Sequence, residues 1–154
     1  MISHAVCSTL KLTFQAGYDR YISLRNEGSQ EAVKTAVIIL FHGSRAEGAG
    51  EIAGRIADEV GRRGDFEVVT IAFLQHAKPD LMEAVHTCIH QGAGKIIVVP
   101  FFLQMGTHVT SDIPVLMDLV KKRYPDLSIV ATGAVGTHPM MADIVAKMVR
   151  DIQD

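Results

Sequence analysis

Four times in 154 residues a short β-branched, apolar run is followed by a longer stretch with helical spacing of its apolar positions. The runs are TAVIILF from Thr35, FEVVTIAFL from Phe66, KIIVVPFFL from Lys95 and LSIVATG from Leu127. Near-continuous apolar character suits strands buried on both faces, and strand alternating with helix is the pattern of a parallel sheet covered by helices. The expected fold is α/β: a flavodoxin-like, four-stranded parallel sheet of order 2-1-3-4.

The helical stretches carry their own punctuation. Ile52, Ile56 and Val60 recur every four residues before the basic, glycine-bearing GRRG, which reads as an amphipathic helix and its stop. Pro79 opens the second helix, with Leu81, Ala84, Val85, Cys88 and Ile89 on one face and QGAG at its end. Pro114 is expected to open the third, with Leu116, Leu119 and Val120 inward and KKRYP closing it. Pro139 opens the fourth, which carries Ile144, Val145, Met148 and Ile152. Residues 1–33 do not join this scheme, so the chain divides into an N-terminal extension, 1–33, and one domain, 34–154.

Composition excludes more than it selects. A formal net charge of −2, with no cluster of Lys and Arg on one face, leaves no electrostatic footprint for nucleic acid. No apolar run approaches the roughly 20 residues that span a bilayer, and MISHAVCSTLKLTF lacks the basic start of a secretory signal. Cys7 and Cys88 stand far apart and outside any CxxC spacing, so both read as structural thiols in a reducing compartment. The cytoplasm is the expected location.

Ligands of open parallel sheets bind beyond the carboxyl ends of the strands, where the winding reverses. In the order 2-1-3-4 that point lies between strands 1 and 3. FHGSRAEGAG follows the first and FFLQMGTHVTSDIP the other, and each offers a histidine: His42 at the strand tip and His108 on the loop. Imidazole titrates near neutrality and is the commonest protein ligand of transition metals, so the pair could hold a metal, move protons, or do both in turn. The remaining histidines have plainer readings. His86 and His90, four apart on the second helix, fall opposite its apolar face; His4 lies in the extension; His76 follows strand 2; His138 suits a cap or backbone role before Pro139. HGSR also invites comparison with phosphate-handling histidine enzymes, but no basic residue precedes His42 and no GK[ST] follows.

Taken in order, HGSR after strand 1, AFL…KPDLMEAV across strand 2 and its helix, GAGKIIVVPFFLQMGTHVTSDIP around strand 3, and GTHP before the last helix resemble the small class II chelatases. The family is typified by sirohydrochlorin cobaltochelatase and its iron- and nickel-inserting relatives. The resemblance runs from about Lys34 to the C-terminus. It implies an ATP-independent lyase that inserts a divalent metal, Co²⁺ first and Fe²⁺ or Ni²⁺ as alternatives, into sirohydrochlorin or a related tetrapyrrole, in cobalamin- or siroheme-type biosynthesis. The metal is then a substrate, and no organic cofactor is expected. By position His42 and His108 match the family's active-site histidines, as metal ligands and proton acceptors. Leu103, Gln104, Met105, Gly106 and Thr107 match the loop that lines the macrocycle, and short members are similar to half of a two-domain chelatase and work as homodimers.

Two histidines suit that chemistry. Insertion strips the ion's hydration shell and displaces two pyrrole N–H protons, so a neutral imidazole can first hold the metal and then accept a proton. The grip must stay incomplete, because a closed four-ligand cage would not release. Two positions depart from the family: many members carry Glu directly after AFL, where this chain has Gln75, and a further acidic position is Lys78. Gln75 can hydrogen-bond but cannot take a proton or neutralise M²⁺. With Ser44 and Arg45, these residues are expected to face the substrate, Arg45 and Lys78 meeting its carboxylates. The rival reading is a non-catalytic tetrapyrrole or metal carrier.

Overall fold

The computed structural model describes residues 33–45, 48–64, 66–104 and 106–153, without the side chains of residues 49 and 107–109. The N-terminal extension up to residue 32 and Cys7 lie outside the described residues. The elements are β1 (Thr35–Phe41), α1 (Ala49–Arg63), β2 (Val68–Phe73), α2 (Leu81–His90), β3 (Lys95–Pro100), α3 (Thr107–Arg123), β4 (Ser128–Ala131), a 3₁₀ turn (Val135–Thr137) and α4 (Met140–Gln153). All strand pairs are parallel, in the order β2-β1-β3-β4. The expected sheet and its switch point are therefore present.

Side chains alternate across a strand, and β1 supplies both layers. Ala36, Ile38 and Leu40 are fully buried on one side, where Ile96, Val98 and Ile129 join Val85 and Cys88 of α2 and Ile113, Met117 and Val120 of α3. Val37 and Ile39 point to the other side, against Ala57, Ile56 and Val60 of α1. Each fully buried aliphatic side chain stabilises by about 1.5–3 kcal/mol. Burial also pushes the Cys88 thiol up to about 12, so the inert, structural role expected of it is the one it has.

Helix ends follow from local chemistry. The Asp80 carboxylate accepts from the Glu83 N–H at 3.0 Å while the Glu83 carboxylate accepts from the Asp80 N–H at 2.9 Å, a reciprocal cap that starts α2. α1 stops at Gly64, whose N–H donates to the Val60 carbonyl, and α3 stops just before Tyr124 and Pro125.

Three expectations are corrected. α3 begins at Thr107, so His108 belongs to its first turn and not to a loop, and Pro114 lies inside the helix. The turn THVTSD carries no apolar period, which is why the proline looks like the start. Second, the inward lines of two helices are rotated: Ile52 and Leu119 are about half exposed, whereas Ala53 and Ala57 of α1 and Ile113 and Met117 of α3 are buried. Small alanines on the contact line let α1 sit close to the sheet, and the bulkier isoleucines flank it. Third, α4 has the expected amphipathic spacing, yet none of its residues is buried and none belongs to either core cluster.

Leu40→Ala should lower the unfolding free energy by about 2–5 kcal/mol, while Leu119→Ala should change it by no more than about 0.5 kcal/mol. Urea denaturation of both variants checks this, and equal losses would contradict the placement of Leu119 outside the core.

Candidate active site

The parallel ladders do not stop where the strands do. Beyond the register Phe41↔Phe73, the Leu74 N–H donates to the Phe41 carbonyl at 2.8 Å and the Gln75 N–H to the His42 carbonyl at 3.0 Å. On the other flank the Phe101 N–H donates to the Leu40 carbonyl at 2.8 Å. The Phe73 N–H bonds the Pro79 carbonyl, so the segment between them closes into a loop at the tip of β2. His42, Gln75 and the start of the β3 loop are thereby held at one sheet edge by backbone hydrogen bonds.

His42 is exposed at that edge. Its Nδ1 lies 3.3 Å from the Gly43 carbonyl, and the Gln75 amide nitrogen lies against both ring nitrogens, 3.0 Å from Nε2 and 3.4 Å from Nδ1. The Phe102 ring meets the imidazole edge-on, with centroids 6.3 Å apart, and is itself buried in the core. A carboxylate at position 75 would prefer the charged imidazolium. The amide is indifferent: its NH₂ donates to neutral imidazole, and turned over its oxygen accepts from imidazolium. A neutral amide thus stands against the imidazole where a carboxylate would favour its charged form.

Of the other expected residues, Ser44 and Arg45 are exposed on the segment after β1, and Leu103 and Gln104 are exposed after β3. Gly106 caps α3, its carbonyl accepting from the Thr110 N–H at 3.1 Å. Met105 and the side chains of Thr107 and His108 lie outside the described residues; the backbone places His108 in the first turn of α3, which packs on the same sheet face as Leu40. Lys78 is not turned toward an empty edge. Its Nζ contacts the Asp80 carboxylate at 2.5 Å and that of Glu83 at 3.0 Å, and these hydrogen bonds raise its pKa. Burial pushes Asp80 up, but Lys78 and the backbone N–H groups of Glu83 and Met82 outweigh it, so its carboxyl ends below the ordinary value.

The structure adds residues that motif reading passes over. Gly43 has φ +93°, and a Cβ there would collide with the Gln75 carbonyl; only glycine permits so close an approach. Gly136 of the 3₁₀ turn would likewise strike the Leu103 backbone, and its N–H donates to the Phe102 carbonyl at 2.9 Å, so GTHP braces the β3 loop from behind. His138 takes the expected backbone role, its Nδ1 accepting from the Met140 N–H at 3.3 Å. Phe102 was hidden in an apolar run; the strand register, which sets β3 beside β1, was the signal that could have found it.

Gly43→Ala should therefore cost more than about 1 kcal/mol of stability and separate Gln75 from His42. Thermal denaturation together with the His42 imidazole resonances in NMR checks both; an unchanged His42 signal would contradict the close approach.

Comparison with known proteins agrees with the fold. The CbiX family model matches residues 36–152. The sirohydrochlorin cobaltochelatase of Methanocaldococcus jannaschii is 38% identical over 89 residues, 58% of this chain and 62% of that protein. That of Methanosarcina acetivorans is 30% identical over 125 residues, 77% of this chain and 96% of that protein. Among solved structures, the sirohydrochlorin chelatase SirB of Bacillus subtilis subspecies spizizenii in complex with cobalt superposes with a TM-score of 0.70 at 28% identity, covering 78% of this chain and 51% of SirB. The chain spans about three-fifths of the length of the first curated relatives it matches.

Proposed function

From the premise that the chain belongs to the CbiX family, we propose that it inserts a divalent metal into sirohydrochlorin or a closely related tetrapyrrole, without ATP. Co²⁺ is the first choice, as the names of the archaeal relatives suggest, with Fe²⁺ and Ni²⁺ as alternatives that imidazole ligands also suit. The observation that carries the reading is His42, exposed at the switch point with the neutral amide of Gln75 against its ring nitrogens. Such a nitrogen can bind an incoming ion once the amide moves aside. When the macrocycle takes the ion, the same nitrogen can accept one of the two protons that leave the pyrroles.

The remaining roles follow. His108 is assigned the second ligand and proton acceptor from the first turn of α3. Residues 103–107 form the wall beside the macrocycle, Gly106 among them, and Ser44 and Arg45 meet peripheral carboxylates; Lys78 reaches them only by leaving Asp80 and Glu83. Residues 34–154 are the working unit and the extension is accessory to it. No helix among the described residues is long and apolar enough to cross a membrane, and a cytoplasmic setting is part of the proposal.

The working form is a homodimer. The match covers only half of SirB, so two copies would supply what one longer chain carries. The surface is α4: Met140, Ile144, Val145, Met148, Val149 and Ile152 are 49–87% exposed, and Val130 on β4 is 49% exposed. One chain thus shows a largely exposed apolar helix and, on the face of β4 turned away from α3, an exposed Val130, and a second copy satisfies both.

Two experiments test these statements. Anaerobic sirohydrochlorin mixed with Co²⁺, Fe²⁺ or Ni²⁺, followed by visible absorption, should show acceleration by the protein that falls about 100-fold or more in His42→Ala and in His108→Ala. No acceleration by the wild type, with acceleration restored in Gln75→Glu, would replace the reading with the carrier. Sedimentation should give a dimer for the wild type and a monomer for the Ile144→Asp, Met148→Asp double variant; a wild-type monomer would overturn the assembly.

A further inference from the structure

Away from the strand-end site, the outer face of α2 presents His86 and His90 one helical turn apart. Their Nε2 atoms are 3.0 Å from each other, and the rings stand at 70° with centroids 4.3 Å apart. Two imidazole nitrogens bound to one ion at about 2.1 Å each and at right angles lie about 3.0 Å apart, so the pair already has the bite of a cis chelate. The scaffold beneath is stiff: α2 is capped reciprocally at Asp80 and Glu83, and Leu81, Ala84, Val85, Cys88 and Ile89 fix its inner face in the core. A chelate formed on rigid backbone loses little entropy when the ion arrives.

The protonation state also suits a ligand. Burial, with the charges of His90 and Arg123 behind it, lowers the His86 pKa, so this ring is neutral over a wider pH range than a solvated one. Arg123 acts in two directions. It disfavours imidazolium, and it repels a cation by the same field.

We propose that His86 and His90 form a second divalent transition-metal site, separate from His42 and His108, that binds Ni²⁺, Co²⁺ or Zn²⁺ through two neutral imidazoles and water. It lies on a different element from the insertion site and does not depend on the insertion reading. Such a site would hold the class of ion the proposed reaction consumes, on a surface open to solvent, with too few protein ligands to retain it.

The test is calorimetric titration of Ni²⁺ alone into the tag-free full-length chain and into a His42→Ala, His108→Ala double variant. Binding is expected to survive in the double variant, to weaken about tenfold or more when His86→Ala or His90→Ala is added, and to tighten severalfold with Arg123→Ser. Loss of all Ni²⁺ binding in the double variant would overturn the site. So would Ni²⁺ affinity unchanged by His86→Ala and His90→Ala, which would leave the pair as a ring contact only. Since His90 is exposed, His90→Ala is the variant least able to act through misfolding, and unchanged circular dichroism accompanies the expected result.

Discussion

The parallel ladder of β1 is the constraint on which the rest depends. β1 is the only strand of the described sheet with a partner on each side that continues past its own end: Leu74 and Gln75 bond to Phe41 and His42 on one flank, and Phe101 to Leu40 on the other. Backbone hydrogen bonds contribute modestly one by one. Their larger effect here is positional. A slip of one residue would exchange the faces of every side chain on β1, sending Ala36, Ile38 and Leu40 away from α2 and α3 and taking His42 from Phe102. Core packing and site geometry are therefore one choice of register, enforced by the burial of those three residues.

The glycines set the limits of that choice. Gly43 allows β1 to turn out of the sheet while still touching the Gln75 carbonyl, and Gly136 allows the 3₁₀ turn to press on the backbone of Leu103. Neither takes part in chemistry. Both let loops from different strands approach more closely than a Cβ would permit, and the site is the space they define. The amide of Gln75 then reports on that closeness, because a 3.0 Å bond to His42 needs both loops in place.

Sheet order, the four strand-helix units and the strand-end position of His42 were legible from pattern alone, because buried parallel strands leave strong local signals. The start of α3 was not: its first turn is polar, and Pro114 inside the helix imitates a helix opening. Inward lines were misplaced where small residues made the contact, as with Ala53 and Ala57 in place of Ile52, since hydrophobicity scales give alanine little weight although close approach favours it. Phe102 and the glycine contacts depend on segments 30 to 60 residues apart and have no local signature. Lys78 shows the same limit in charge: its neighbours Asp80 and Glu83 are two and five residues away, yet their hold on it depends on the cap that starts α2.

The uncovered face of α4 connects fold to assembly. Helix spacing alone predicts an inward stripe, and the stripe exists, but within one chain none of its residues is buried, although Met140 and Ile144 line a groove with Val99 of β3. Six large apolar side chains left in water contribute nothing to the stability of the single domain, because the unfolded chain exposes them too. The same residues set against a second sheet would supply association free energy at about 25 cal/mol per Å² buried. Because α4 follows directly from the turn that braces the β3 loop, whatever seats α4 also steadies Gly136 against Leu103. A dimer formed through α4, as proposed, would be coupled to the candidate site through three residues of 3₁₀ turn.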